Sequence, residues 1–256
     1  PGAVWNGGRA VFGITGIKDI RAILKLYNDR GVPVRFTWTN SLLEEKHIYD
    51  TYCNLIMKEA DNGMNQVLVN RPVLEEYIRR QYPGFKLISS TTKRITGLDG
   101  LLEELNKDYF LVVLDYDLNH NEEVLSAIGK QADKVEILVN EICYPGCPKR
   151  SEHYRQQSQM QLEYDIDAAF PCPNKTRERK FEECKERPSF ISREQIREYA
   201  DRGFVNFKIV GRGMPMDFVK ESYLYYLVKD DSRAFIRNKM ESTLNQFAQA
   251  MKKRKA

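Results

Sequence analysis

"NQVLVNRPVLEEYIRRQYPGFKLISS" (65–90) decides the fold. It opens on an apolar run, 65–70, and continues as a helical pattern, 71–84, with Pro72 in the first turn, where its missing N–H leaves no bond unmade. A second apolar run, 85–90, closes it. Both runs are nearly continuous in apolar residues, which fits strands covered on both faces in a parallel sheet.

The same unit repeats on either side. Upstream, "IKDIRAILKLYNDRG" (17–31) reads as a helix and "PVRFTWTN" (33–40) as a strand. "LLEEKHIYDTYCNLIMKEADNG" (42–63) reads as a helix ending at Gly63, a natural C-terminal cap. Downstream come a helix at 97–107, a strand at 109–119, a helix at 121–132 and a strand at 134–140. After an interruption follow a helix at 192–203 and a strand at 204–212. Alternating strands and helices define an α/β protein, and the spacing approaches that of a (β/α)8 barrel of about 250 residues.

We therefore expect a single TIM-like (β/α)8 barrel over 1–256, with a Cys-rich insertion at 142–191 after a late strand. Six strands are two short of closure, so the expectation includes a first strand missing from this chain and one weak strand in the irregular region. A doubly wound open sheet is the alternative. The chain opens at Pro1 inside a Gly-rich stretch, from which we expect an N-terminal part to precede it. Residues 240–256 read as a basic C-terminal helix or tail, ending in the solvated "MKKRKA" (251–256).

Hydrophobic content of 42% and charged content of 30% are those of a soluble globular protein. No apolar run approaches the roughly 20 residues of a membrane span, and the first residues carry no signal-peptide pattern. A net charge of +4 is too mild to demand a nucleic-acid partner. Five cysteines are an odd number, and nothing suggests secretion, so a disulfide framework is disfavoured and a reducing cytoplasm is expected.

In a barrel the strand C-terminal ends form the active face. Placed there are Thr39 and Asn40; Asn70 and Arg71; Ser89, Ser90 and Thr91; Asp115, Asp117, Asn119 and His120; Asn140 and Glu141; Gly211 and Arg212. Cys143 and Cys147 of "VEILVNEICYPGCPKRSEHY" (135–154) follow on the same face. Cys172 and Cys184 lie in "AFPCPNKTRERKFEECKERPSF" (169–190), a segment rich in Pro and charge that a metal would help to order. Four thiolates suit a 4Fe-4S cluster or structural zinc, and their spacing does not choose between them. A Cys143–Cys147 dithiol and four unconnected packing thiols are the other readings. Cys53 reads as a buried core thiol.

"VLVNRPVLEEYIRRQYPGFKLISSTT", "VVLDYDLNHNEEVLSAI", "ILVNEICYPGCPKRSEHY" and "ADRGFVNFKIVGR" occur in the order found in the collagenase-like peptidase family U32, which the chain resembles over about residues 33–225. The resemblance implies a TIM-like barrel whose cysteines hold a 4Fe-4S cluster. Better-understood relatives take part in oxygen-independent hydroxylation of RNA or of a ubiquinone precursor, with prephenate implicated as an oxygen source. By position, Cys143 and Cys147 match the family's cysteines, and Cys172 and Cys184 match loosely. Where the family strand reads K-I-E-G-R, this chain keeps Lys208, Gly211 and Arg212 but carries Val210 in place of the acid.

The expected function is thus that of an iron–sulfur hydroxylase-like enzyme acting on RNA or a small carboxylate such as prephenate. A non-catalytic, zinc- or cluster-stabilised barrel serving a protein partner is the alternative. Candidate catalytic residues are His153, Arg212, Lys208 and Asp115; candidate substrate contacts are Asn70, Asn140, Glu141, Arg150 and Tyr154. Lys208 and Arg212 suit a carboxylate or phosphate, or an ion pair with Asp115 or Asp117. For proteolysis there is neither H-E-x-x-H nor G-x-S-x-G, which leaves a Cys–His pair such as Cys143 with His153.

Overall fold

The structure, a computed structural model, describes residues 2–172 and 179–255, with side chains described to residue 250. Its sheet has six strands: β1 (Arg35–Trp38), β2 (Gln66–Val69), β3 (Lys86–Ser89), β4 (Leu111–Val113), β5 (Val135–Leu138) and β6 (Asn206–Lys208). Each pairs in parallel with the next, in the order β1-β2-β3-β4-β5-β6. A doubly wound sheet reverses its strand order at a switch point; this sequential order excludes it.

Helices α1 (Ile17–Asn28), α2 (Thr51–Ala60), α3 (Pro72–Gln81), α4 (Leu98–Leu105) and α5 (Glu122–Ile128) alternate with the first five strands. Then follow α6 (Arg150–Glu163), α7 (Phe181–Lys185) and α8 (Arg193–Asp201) before β6, and α9 (Met216–Leu227) and α10 (Arg233–Lys255) after it. No helix among the described residues is long and apolar enough to cross a membrane.

The side-chain alternation of the strands separates two cores. Phe36, Trp38, Val67, Val69, Leu87, Val112, Val135 and Ile137 pack outward with Ile56, Leu74, Ile78, Leu101 and Val124 of the helices. Leu68, Ile88, Leu111, Val113 and Leu138 point the other way and meet in one inner cluster with Tyr116 and Val210. Strands whose inner residues converge on one another form a curled sheet, here half a barrel, consistent with a TIM-like barrel. Among the described residues β6 does not pair with β1, so a seam lies between the two edges.

The N-terminal segment runs along that seam. Asn40 N donates to Trp5 O at 3.1 Å, and the Asn40 amide donates to Val4 O and to Ser158 O of α6. Gly7 lies so close to β1 that a Cβ there would come within 2.2 Å of Thr39 O. Ala10 N and Val11 N donate to Gln157 and Gln161 of α6.

Two expectations from sequence need correction. The helix expected over 42–63 is shorter, because Asp50 caps α2 by accepting from Cys53 N at 2.7 Å and a separate 3-10 turn occupies Glu45–His47. The region 142–191 also contains α6, a helix of 14 residues with no apolar stripe. Its glutamines and Ser158 bind backbone instead, and this is why hydrophobic periodicity did not announce it. Within 169–190, α7 packs Phe181 and Cys184 against Phe218. Residues 173–178, between Cys172 and Cys184, lie outside the described set.

Asn140, at the C-terminal end of β5, holds the next strand in place. It is fully buried; its amide donates to Val210 O and Ser222 Oγ, and its oxygen accepts from Val210 N at 2.6 Å. Asn140→Ala leaves these buried groups unpaired and is expected to cost about 2–3 kcal/mol, read as a lower urea midpoint at unchanged m-value.

Candidate functional site

The loops at the C-terminal ends of β3, β4 and β5 bring a four-charge network together. Asp115 ends the β4 strand run and Asp117 follows in a 3-10 turn, with Asp117 N donating to Asp115 Oδ1. Arg94 donates to Asp115 at 2.5 Å and to Asp117 at 3.0 Å. Arg150, the first residue of α6, bonds Asp117 at 2.9 Å, Asp115 at 3.4 Å and Tyr144 O at 2.5 Å. Its guanidinium also lies 3.8 Å above the Tyr116 ring.

Arg150 and Asp115 are both about 2% exposed, so each charge depends on its partners. Burial pushes Asp115 up despite Arg94 and Arg150. Asp117 is held down against burial by the Gly146 N–H, Arg94 and Arg150. Arg94 has a left-handed backbone (φ 59°), which costs a side-chain-bearing residue about 1 kcal/mol or more and aims its guanidinium at both carboxylates.

A second group lies at the seam. Arg9 donates to Arg212 O at 2.9 Å, and Arg212 donates to Gly7 O at 2.9 Å and to Thr37 Oγ1. Glu141 accepts from Arg9 at 3.2 Å and from the backbone of Ile142 and Cys143. Arg212 thus has hydroxyl and carbonyl partners, and among the described residues no carboxylate pairs with it. Burial, with Arg9 beside it, pushes it down to about 10. Below this group, facing the same interior, Arg35 bonds Glu136 at 2.5 Å and Lys208 sits 3.8 Å from the other Glu136 oxygen.

The structure therefore gathers Asp115 and Arg150, with Cys143 and Tyr154 neighbouring Tyr116, and separately gathers Lys208, Arg212 and Glu141. The ion pair foreseen between Arg212 or Lys208 and Asp115 or Asp117 does not form; Arg94 and Arg150 take those carboxylates. Asn70 donates to Thr92 Oγ1 at 2.9 Å. His153 stacks on Phe170 with ring centroids 4.4 Å apart, and burial, Arg9 and Arg179 favour its neutral form. Burial pushes Tyr154 up as well. Sequence reasoning missed Arg9, Arg35, Arg94 and Glu136. Arg35 and Glu136 were readable as charges at inward positions of apolar strands, whereas Arg9 and Arg94 sit in loops with no pattern.

Cys143 and Cys147 flank a turn over Pro145 and Gly146, whose positive φ (66°) suits glycine. Cys143 is half-buried against the inner cluster, and burial raises its thiol. Cys184 is buried, donates to Glu141 O at 3.7 Å and is pushed up to about 12 by burial. Cys53 is a buried core thiol, as expected. Cys147 and Cys172 are partly exposed. Among the described residues no three His, Cys, Asp or Glu side chains gather into a set that could hold a metal ion.

A half-barrel of parallel strands with charged groups at their C-terminal ends is consistent with a TIM-like barrel. No family model matches the chain. It is 27% identical over 184 residues to an uncharacterized protease of Methanocaldococcus jannaschii, a match covering 69% of this chain and 54% of that protein. The chain thus spans about half the length of this curated relative. The solved structure of the U32 peptidase Mk0906 shares the fold, with a TM-score of 0.56, 20% identity and 83% of each chain covered. Together these findings relate the chain to peptidase family U32.

Arg94 is the keystone of the Asp115–Asp117 network, and its side chain is 20% exposed. Arg94→Ala is expected to destabilise the chain by about 2–3 kcal/mol, somewhat below the figure for a fully buried pair. Lys25→Ala, which breaks an exposed pair with Asp29, is expected to stay within about 0.5 kcal/mol. Parallel urea titrations compare the two.

Proposed function

We propose that this chain is the substrate-holding barrel of a U32-related enzyme, and that its seam binds the carboxylate of its substrate on Arg212. One observation carries the reading: a guanidinium at the strand C-terminal ends, depressed by burial and by Arg9, with no carboxylate partner among the described residues. A buried cation without an anion is costly, and a bound carboxylate removes that cost with charge-assisted bonds. Asp115, Asp117, Arg94 and Arg150 form the neighbouring rigid wall.

The relatives' designations as a protease and a peptidase suggest a peptide C-terminus as the source of the carboxylate. The family resemblance suggests a small cyclic acid such as prephenate. The thiol of Cys143 is raised by burial, the opposite of what a thiolate nucleophile needs. This favours the small acid and weighs against Cys143 as a peptidase nucleophile. Calorimetry with prephenate, with pyruvate, and with one tripeptide as free acid and C-terminal amide tests the reading. At least one free carboxylate is expected to bind, about tenfold or more weaker in Arg212→Gln, and the amide not at all. Equal binding by wild type and variant would overturn the carboxylate site.

A cluster or zinc on Cys143, Cys147, Cys172 and Cys184 is a separate proposal, as is oxygen-independent hydroxylation of RNA. The shared border of Cys143 and Cys184 on Glu141 favours it; it requires Cys184 to release Glu141 O and ionise. Anoxic purification with iron, sulfide and zinc determination decides the matter. Four irons and four sulfides per chain, lost in Cys147→Ser, support the cluster; zinc alone supports a structural site; neither removes both.

A further inference from the structure

Lys208 and Glu136 face each other inside the half-barrel without completing a bond. Lys208 ends β6 and shares its inward side with Val210 and Arg212, while Phe207 and Ile209 between them pack into the outer core. Its Nζ lies 3.8 Å from Glu136 Oε2, beyond hydrogen-bond length. That oxygen is buried and has no hydrogen-bond partner among the described residues, because Arg35 takes the other one at 2.5 Å. The arrangement sets an amine beside a carboxylate oxygen that has spare capacity to accept a proton. The Lys208 side chain is 23% exposed, so it is not sealed in the core.

We propose that Lys208 is an imine-forming amine that condenses with the carbonyl of a 2-oxo acid, with Glu136 as the proton carrier. The 2-oxo acid class rests on the carboxylate reading of Arg212, four residues along the same strand and on the same side. Amines of this kind are activated by desolvation and by nearby cations. Burial pushes Lys208 down to about 8, with Arg35 and Arg212 acting in the same sense and Glu136 and Glu141 opposing. In the step, neutral Lys208 Nζ forms a C–N bond to the carbonyl carbon while Glu136 Oε2 relays one of its two N–H protons to the carbonyl oxygen, which becomes a hydroxyl; the second N–H proton remains for the loss of water. Glu136 Oε2 then accepts this second proton and passes it to the hydroxyl, which leaves as water as C=N forms. No oxidant or reductant is consumed.

Borohydride trapping with pyruvate on the whole chain tests this. The expected result is a mass increase of one reduced pyruvate, mapped to the peptide holding Lys208. The rate should rise with pH toward about 8, where the amine loses its proton. The adduct should be absent in Lys208→Arg and form roughly a hundredfold more slowly in Glu136→Gln. Acetone, which keeps the carbonyl and lacks the carboxylate, separates the two readings. Trapping of Lys208 by acetone as readily as by pyruvate, unchanged in Arg212→Gln, would remove the carboxylate reading and leave the imine. Calorimetric binding of pyruvate with no adduct, or adducts spread evenly over lysines and retained in Lys208→Arg, would overturn the imine.

Discussion

The seam between β6 and β1 is the constraint on which the rest of the structure depends. A curled sheet of six strands leaves two edges, and an unpaired edge is a row of unsatisfied donors and acceptors. This chain closes its opening with an exchange of arginines. Arg9 of the N-terminal segment donates to the carbonyl of Arg212, and Arg212 donates to the carbonyl of Gly7. The glycine lets the segment press onto β1. Closing the seam with two guanidinium groups and one carboxylate, Glu141, leaves positive charge at the strand ends. The functional reading grows from that residual charge.

The two charged groups divide the work. Asp115, Asp117, Arg94 and Arg150 balance one another and are locked by backbone contacts from Gly146 and Tyr144, so they suit a rigid wall. Arg9, Arg212 and Glu141 do not balance. Beneath them, Lys208 and Glu136 form an ion pair held too long for a hydrogen bond. A charge-balanced network builds a scaffold, while a group whose charges do not balance invites a ligand.

Much of the fold was legible in sequence. Each of the six strands falls inside an expected apolar run; β2, β4 and β5, buried on both faces, write themselves as near-continuous Val, Ile and Leu, while β1 (Arg-Phe-Thr-Trp) and β6 (Asn-Phe-Lys) are marked by their apolar flanks and by the βαβ spacing. Their sequential order followed from the βαβ repeat. What could not be read was held by polar contacts. α6 docks through Gln157, Ser158 and Gln161, which carry no periodic signal, and α2 yields its first turns to the Asp50 cap. At the site, Asp115, Glu141, Lys208 and Arg212 were legible as polar residues at strand ends, and Arg150 as a residue following the Cys143–Cys147 turn. Their partners were not, since Arg9 and Arg94 reach in from loops whose geometry depends on a few glycines and one left-handed residue. Asn140, expected at the substrate, has its amide engaged by Val210 and Ser222 instead.

The most direct test of the account is a crystal structure of the chain grown with pyruvate. The account predicts the carboxylate within hydrogen-bond reach of the Arg212 guanidinium, with the Arg9–Glu141 pair intact. Arg212 paired with an aspartate or glutamate of its own chain, and no anion at the seam, would contradict it.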